Sequence, residues 1–239
     1  MRRERITDIE IKNLSLKFDI GAPLFNDVNL KFPLGKIIVL EGQPGCGKSI
    51  FLRMLAGLVE PTQGDVIYNG RSLREMSFEQ FAPLRTSTSI CFENGGLLMN
   101  KSLIENIKLP LLYNQQWRAE RGGIYLDKLI SNFNIKDFLD HRPAAVSAGV
   151  RKIAGLVRSL VCTPQVLFFD EPNLGIGENA VEALKHCIDE YRSEGKQDEL
   201  IVMACSDRRF IERFDCERIQ IKDSKLIFEN QNSIEIGAA

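Results

Sequence analysis

An α/β fold built on a parallel sheet is what the sequence predicts, on three observations. Three short, wholly apolar runs, Ile37 to Leu40, Val166 to Phe169 and Leu200 to Ala204, have the pattern of strands buried on both faces. Stretches of helical period alternate with them. A glycine-rich loop follows the first run at once and opens into a helix.

Taken in order, Ile9, Ile11, Leu14, Leu16 and Phe18 mark an opening strand whose phase breaks at Asn13. A turn at Gly21 to Pro23 leads to a second alternating piece, Val28 to Phe32, which gives an antiparallel lead-in. After the run at 37–40 and its glycines, Ile50, Phe51, Met54, Leu55 and Leu58 recur at helical spacing, and Gly57 stands where that helix ends. Gly64 to Tyr68 and Ser89 to Phe92 are further strands; Ser102 to Leu112 and Leu126 to Phe138 are helices. A long helix begins near Ser147, puts Val150, Ile153, Ala154, Val157, Leu160 and Val161 on one side, and stops at Thr163-Pro164. A helix from Glu178 to about Tyr191, the run at 200–204 and a hairpin from Arg218 to Phe228 close the chain.

Composition narrows the function classes. The 239 residues are 44% hydrophobic and 26% charged with 9 prolines, which fits one large core and excludes a disordered or collagen-like chain. A net charge of −1 lacks the positive field of a nucleic-acid binder, so no nucleic-acid partner is expected. No apolar stretch approaches the roughly 18 to 20 residues that span a bilayer, and Met1-Arg2-Arg3-Glu4-Arg5 does not open a signal peptide. A cytosolic chain with only a peripheral membrane role follows. The six cysteines are scattered, without CxxC pairs, and are expected as reduced thiols. Arg2, Arg3 and Arg5 are expected as a solvated arm, Trp117 as helix packing, His141 and His186 without metal companions, and the tail from Asn230 to Ala239 as frayed.

The chemistry sits in two segments. Gly42-Gln43-Pro44-Gly45-Cys46-Gly47-Lys48-Ser49 satisfies GxxxxGK followed by Ser, between a buried strand and a helix. This is a P-loop: its N–H groups turn inward on phosphate oxygens, the helix N-terminus adds positive charge, Lys48 bridges terminal phosphates, and Ser49 offers a hydroxyl to Mg²⁺. Cys46 is read as a small filler of the loop. Val166 to Phe169 ends in Asp170 and Glu171. Beside a P-loop, that pair is a Mg²⁺-directed Asp and a base that polarises the attacking water.

These residues resemble the nucleotide-binding subunit of ABC transporters, and the resemblance covers nearly the whole chain. It implies an ABC-type nucleotide-binding domain of the P-loop NTPase class, with an antiparallel β lead-in and a helical subdomain: a core of about 1–94 and 164–239, with helices at about 95–163. Phe18 matches the aromatic residue that stacks on adenine, and Gly42 to Ser49 and Asp170-Glu171 match the two Walker motifs. Val146-Ser147-Ala148-Gly149-Val150 stands where the signature LSGGQ is usual, so Ser147 and Gly149 are expected to face the ATP held by a second, head-to-tail subunit. The implied cofactors are ATP and Mg²⁺; the implied partners are a transmembrane permease and that second ABC subunit, at the cytoplasmic face of an inner membrane. Phe92-Glu93-Asn94-Gly95-Gly96-Leu97-Leu98, Glu105-Asn106-Ile107 and Leu109-Pro110-Leu111 are most similar to Mla-type ATPases, which work with MCE-domain lipid carriers. Lipoprotein-releasing and cell-division subunits share part of this pattern.

Departures from the family pattern bear on turnover. Glu93 replaces a Gln, where its carboxylate can approach Mg²⁺ but adds charge near the γ-phosphate; Ala148 adds a methyl to the signature; Gly177 replaces an Asp; Ser206 replaces a His with a shorter side chain; Ile50 replaces a Thr near the α-phosphate. Catalysis is therefore expected to rest on Glu171, Glu93 and Ser206, metal binding on Ser49, Glu93 and Asp170, and hydrolysis is expected to be slow. Two function classes follow: a transport ATPase, or a nucleotide-binding clamp that assembles or regulates a membrane complex with little or no turnover.

Overall fold

The computed structural model describes residues 3–113, 120–194 and 198–229; the expectations for Arg2, Trp117 and the tail from 230 lie outside them. Two sheets carry the architecture. The first is antiparallel, in the order β2-β1-β4-β5, from β1 (Ile9–Leu16), β2 (Phe25–Phe32), β4 (Gln63–Tyr68) and β5 (Arg71–Ser72). Asn13, where the alternation breaks, has φ +49, and the β1–β2 register shifts between Ile11 and Leu14. The break in the pattern is thus a bulge that returns both halves of β1 to the core.

The second sheet has the order β10-β9-β3-β8-β7-β6. Its members are β3 (Ile37–Glu41), β6 (Thr88–Cys91), β7 (Val166–Asp170), β8 (Leu200–Ala204), β9 (Glu217–Lys222) and β10 (Lys225–Phe228). β9 to β6 run parallel, and β10 returns antiparallel on β9. Because side chains alternate across a strand, each apolar run serves two cores. Ile38, Leu40, Val166, Phe168 and Val202 pack with α1 (Lys48–Leu55) and the first sheet. Val39, Leu167, Phe169, Ile201 and Met203 pack with helices on the other face. Those helices include α3 (Leu103–Tyr113), α4 (Glu120–Asn132), α5 (Ala148–Leu160) and α6 (Glu178–Glu194).

Three differences from the sequence expectations have local causes. The helix expected over Leu126 to Phe138 stops at Asn132, Asn134 turns left-handed at φ +50, and a separate 3₁₀ turn covers Lys136–Phe138. α2 (Phe78–Arg85) was not legible as a helix because its apolar residues have no clear period; it is nucleated by a capping box between Ser77 and Gln80. A short α7 (Arg208–Ile211) follows β8, capped by Asp207. α5 is also buried on more than one side: Lys152, Gly155, Leu156 and Ser159 are covered along with the stripe expected from the sequence.

Candidate nucleotide site

The strand order gathers the candidate residues. Chain ends of parallel strands collect at one edge of the sheet, the usual ligand side of such folds. Here that edge carries the P-loop after β3, Ser206 after β8, Asp170 and Glu171 at the end of β7, and Glu93 after β6. β8 lies between β3 and β7, so Ser206 falls between the loop and Glu171, an adjacency that chain order does not reveal.

The loop is shaped by backbone that only glycine adopts easily. Gly45 and Gly47 have φ +82 and +102. A Cβ on Gly47 would lie 2.7 Å from the Phe25 ring and 2.8 Å from Leu24 Cδ2, so the β1–β2 connection rests on the loop. Phe18 leaves β1 in that connection and is 54% exposed, an open aromatic face. Lys48 is buried, its Nζ donating to the Gly42 carbonyl at 2.9 Å. Gln43 accepts from the Cys46 N–H at 3.1 Å through its carbonyl, closing the loop; Pro44 is exposed between them, and Cys46 and Ile50 are half-buried.

Ser49 Oγ donates to Asp170 Oδ1 at 2.8 Å. Two hard oxygens side by side at a phosphate loop are the donor chemistry Mg²⁺ prefers. Asp170 is 1% exposed, and burial raises its carboxyl above the ordinary value while the Ser49 hydrogen bond opposes that shift. Glu171 is held twice by one residue: Ser206 Oγ donates to Oε1 at 2.7 Å and Ser206 N to Oε2 at 3.2 Å. The shortened side chain at 206 therefore reaches the general-base candidate. Asn173 Nδ2 donates to Asp207 Oδ2 at 2.9 Å and Cys205 Sγ donates to Asn173 Oδ1 at 3.4 Å, which tie the same two segments again. Burial pushes the Cys205 thiol up to about 12.

Ser147 and Gly149 stand at the start of α5. Ser147 caps the helix, its Oγ accepting from Val150 N at 3.3 Å, and a Cβ on Gly149 would lie 2.6 Å from the Gly175 carbonyl. Ala148, between them, lines a cleft of about 860 Å³. Arg53, Phe92, Glu93, Arg151, Lys152 and Gly175 are among the residues lining it. Glu93 is exposed there. The sequence reading missed Lys152, Arg158 and Asn173. Arg158 donates to the Gly95 and Gly96 carbonyls at 2.8 Å each, fastening the 92–96 turn to α5. The signal in the sequence was a pair of small residues, Gly155 and Ser159, off the apolar stripe of the helix.

Comparison with known proteins agrees with this geometry. The fold is that of an ABC-type P-loop ATPase: the structure superposes on the dimeric ATP-binding cassette MJ0796 in a post-hydrolysis state bound to ADP and Pi, with a TM-score of 0.79 at 20% identity over 91% of this chain and 96% of that one. It also matches an ATP-binding subunit of an ABC transporter at TM-score 0.78 and 23% identity, covering 92% and 88% of the two chains. A family model described as ABC transporter matches residues 25–174, and the chain belongs to that family. It is 34% identical over 169 residues to the probable ribonucleotide transport ATP-binding protein mkl of Mycobacterium leprae (strain TN), which covers 70% of this chain and 48% of that protein. It is 28% identical over 233 residues to the methionine import ATP-binding protein MetN of Burkholderia thailandensis, 95% of this chain and 66% of that one. The chain spans about half the length of the first of these relatives and about two thirds of the second.

Proposed function

We propose that this chain is the ATP-binding and ATP-hydrolysing subunit of an ABC transporter, working with Mg²⁺ in a head-to-tail pair beneath a transmembrane permease. The observation that carries this is the convergence of Lys48, the Ser49–Asp170 pair and the Ser206-held Glu171 on neighbouring strand ends. On this reading the P-loop amides and Lys48 hold the β- and γ-phosphates, Ser49 and Asp170 hold the metal, and Phe18 stacks on the base. Glu171 accepts a proton from the attacking water while Ser206 keeps its carboxylate aimed. The metal supplies charge neutralisation on the phosphates. Gln43, Pro44, Gly45, Cys46 and Ile50 complete the loop around the phosphates, Glu93 adds a carboxylate on the metal side, and Ser147 and Gly149 cap the partner's nucleotide.

A core of about 1–94 and 164–239 then binds nucleotide, while the helical insertion at about 95–163 receives the permease near Glu93 to Leu111, at the cytoplasmic face of the membrane. Among the described residues no helix is long and apolar enough to cross a membrane, which suits a peripheral subunit. Lipid is the proposed cargo, with an MCE-domain protein as a further partner; the Mla-like segments at 92–98 and 105–111 support this, whereas the two relatives are named for ribonucleotide and methionine transport.

Calorimetry with MgATP tests the binding half. Saturable binding that Lys48→Ala abolishes is expected; no heat of association in the parent protein would overturn the reading. Phosphate release by the parent in the presence of its permease, lost in Glu171→Gln, tests hydrolysis. Equal absence in both would favour the second reading, a nucleotide-binding clamp that assembles or regulates a membrane complex with little or no turnover, which the altered positions Glu93, Ala148, Gly177 and Ser206 favour.

A further inference from the structure

One buried cation lies under the carboxylates of this site. Lys152 is 2% exposed on α5, and its Nζ donates to the Asp170 carbonyl at 2.7 Å and to the Phe92 carbonyl at 3.0 Å. Each of those carbonyls immediately precedes an acidic residue, Glu171 and Glu93. Glu171 needs such a hold, because it is a non-glycine residue at φ +44, a conformation that persists only where the surroundings impose it. Burial lowers the Lys152 ammonium's pKa from its ordinary value, and Cys91, Asp170, Glu93 and Glu171 oppose that shift electrostatically. Neither carbonyl needs a full positive charge to be satisfied, since a neutral donor would do; a buried charge here carries a desolvation cost that nearby opposite charges offset only in part.

We propose that Lys152 is a positioning residue: its single ammonium fixes the backbone at the ends of β6 and β7 and balances the charge of Glu93, Asp170 and Glu171, so that a polyphosphate can approach them. The proposal rests on the nucleotide-site reading above. It predicts a specific electrostatic signature. Without the ammonium, Lys48 and Arg53 remain but balance less of the three carboxylates, and bound Mg²⁺ must supply more of the compensation, so ATP affinity becomes more dependent on the metal.

The test is ATP affinity by calorimetry, with Mg²⁺ and with EDTA, alongside melting temperature and single-turnover hydrolysis. In Lys152→Met the ratio of the two dissociation constants is expected to rise about 10-fold, and Glu93→Gln in the same chain is expected to return it to within about threefold of the parent. Lys152→Arg, which keeps the charge and the donors, is expected to stay within about threefold, and single-turnover hydrolysis in Lys152→Met is expected to fall at least about 10-fold. A ratio unchanged in Lys152→Met, or a raised ratio that Glu93→Gln does not correct, would overturn the proposal, the second outcome marking a packing role only. If Lys152→Met does not fold, Lys152→Gln supplies the same comparison with a neutral donor. Lys48→Ala separates the two readings: if it leaves ATP affinity intact, the nucleotide site itself is wrong, and if it abolishes binding while Lys152→Met changes nothing, only the Lys152 proposal fails.

Discussion

Glu171 shows how a single residue position is made functional by its surroundings. Its left-handed backbone, the carbonyl of the preceding Asp170 held by Lys152 and its carboxylate held by Ser206 come from three separate elements. Hydrogen bonds to a charged group contribute about 1.5–3 kcal/mol each, enough to fix one orientation of a carboxylate. Ser206→Ala removes the shorter of its two bonds and leaves the backbone N–H. Single-turnover hydrolysis is expected to fall roughly 10-fold with MgATP affinity unchanged, as measured by quench-flow and calorimetry on the same preparation. From sequence, Ser206 was legible only as a departure from the family residue, one too short to do the same work. What it touches depends on two neighbouring strand ends that bring Ser206 Oγ within 2.7 Å of Glu171 Oε1, which no local pattern encodes.

At the scale of the element, α5 is the part whose sequence said least about its role. Its apolar stripe predicted one buried face, and that face is present. Its second face is covered by the 92–96 turn, which approaches so closely that a Cβ on Gly155 would lie 2.6 Å from Gly95 Cα. Gly155→Ala is therefore expected to destabilise the fold by about 1–3 kcal/mol, read from urea unfolding, with Lys152 and Arg158 losing their carbonyl partners as the turn is displaced. α2 offers a contrast, because its start depends on a local device. Ser77→Ala breaks the capping box and should cost about 1 kcal/mol in the same measurement without altering ATP affinity. Capping boxes can be read from a sequence; α2 was missed because no apolar period drew attention to Ser77 and Gln80.

For the whole molecule, the parallel strand order decides which residues meet. The P-loop and Asp170 are more than a hundred residues apart in sequence, yet Ser49 and Asp170 are hydrogen-bonded because β3, β8 and β7 lie side by side. A ligand that binds this edge bridges both cores of the sheet and should stabilise the entire fold. At about 100 times its dissociation constant MgATP is expected to add about 2.7 kcal/mol, visible as an upward shift in melting temperature. EDTA should reduce that shift, and Lys48→Ala should remove it.

By itself the sequence determined the fold class, the positions of the buried strands along the chain, the phosphate loop and the acidic strand end, because each is written in a contiguous pattern: an apolar run, a glycine spacing, a helical period. Tertiary structure alone decided that Ser206 grips Glu171, that Lys152 ties the ends of β6 and β7, and that Gly155 admits the 92–96 turn. These are contacts between distant segments, set by how strands are ordered in the sheet and how closely one helix packs on it. A linear pattern records what each segment forms; it does not record which segment arrives beside it.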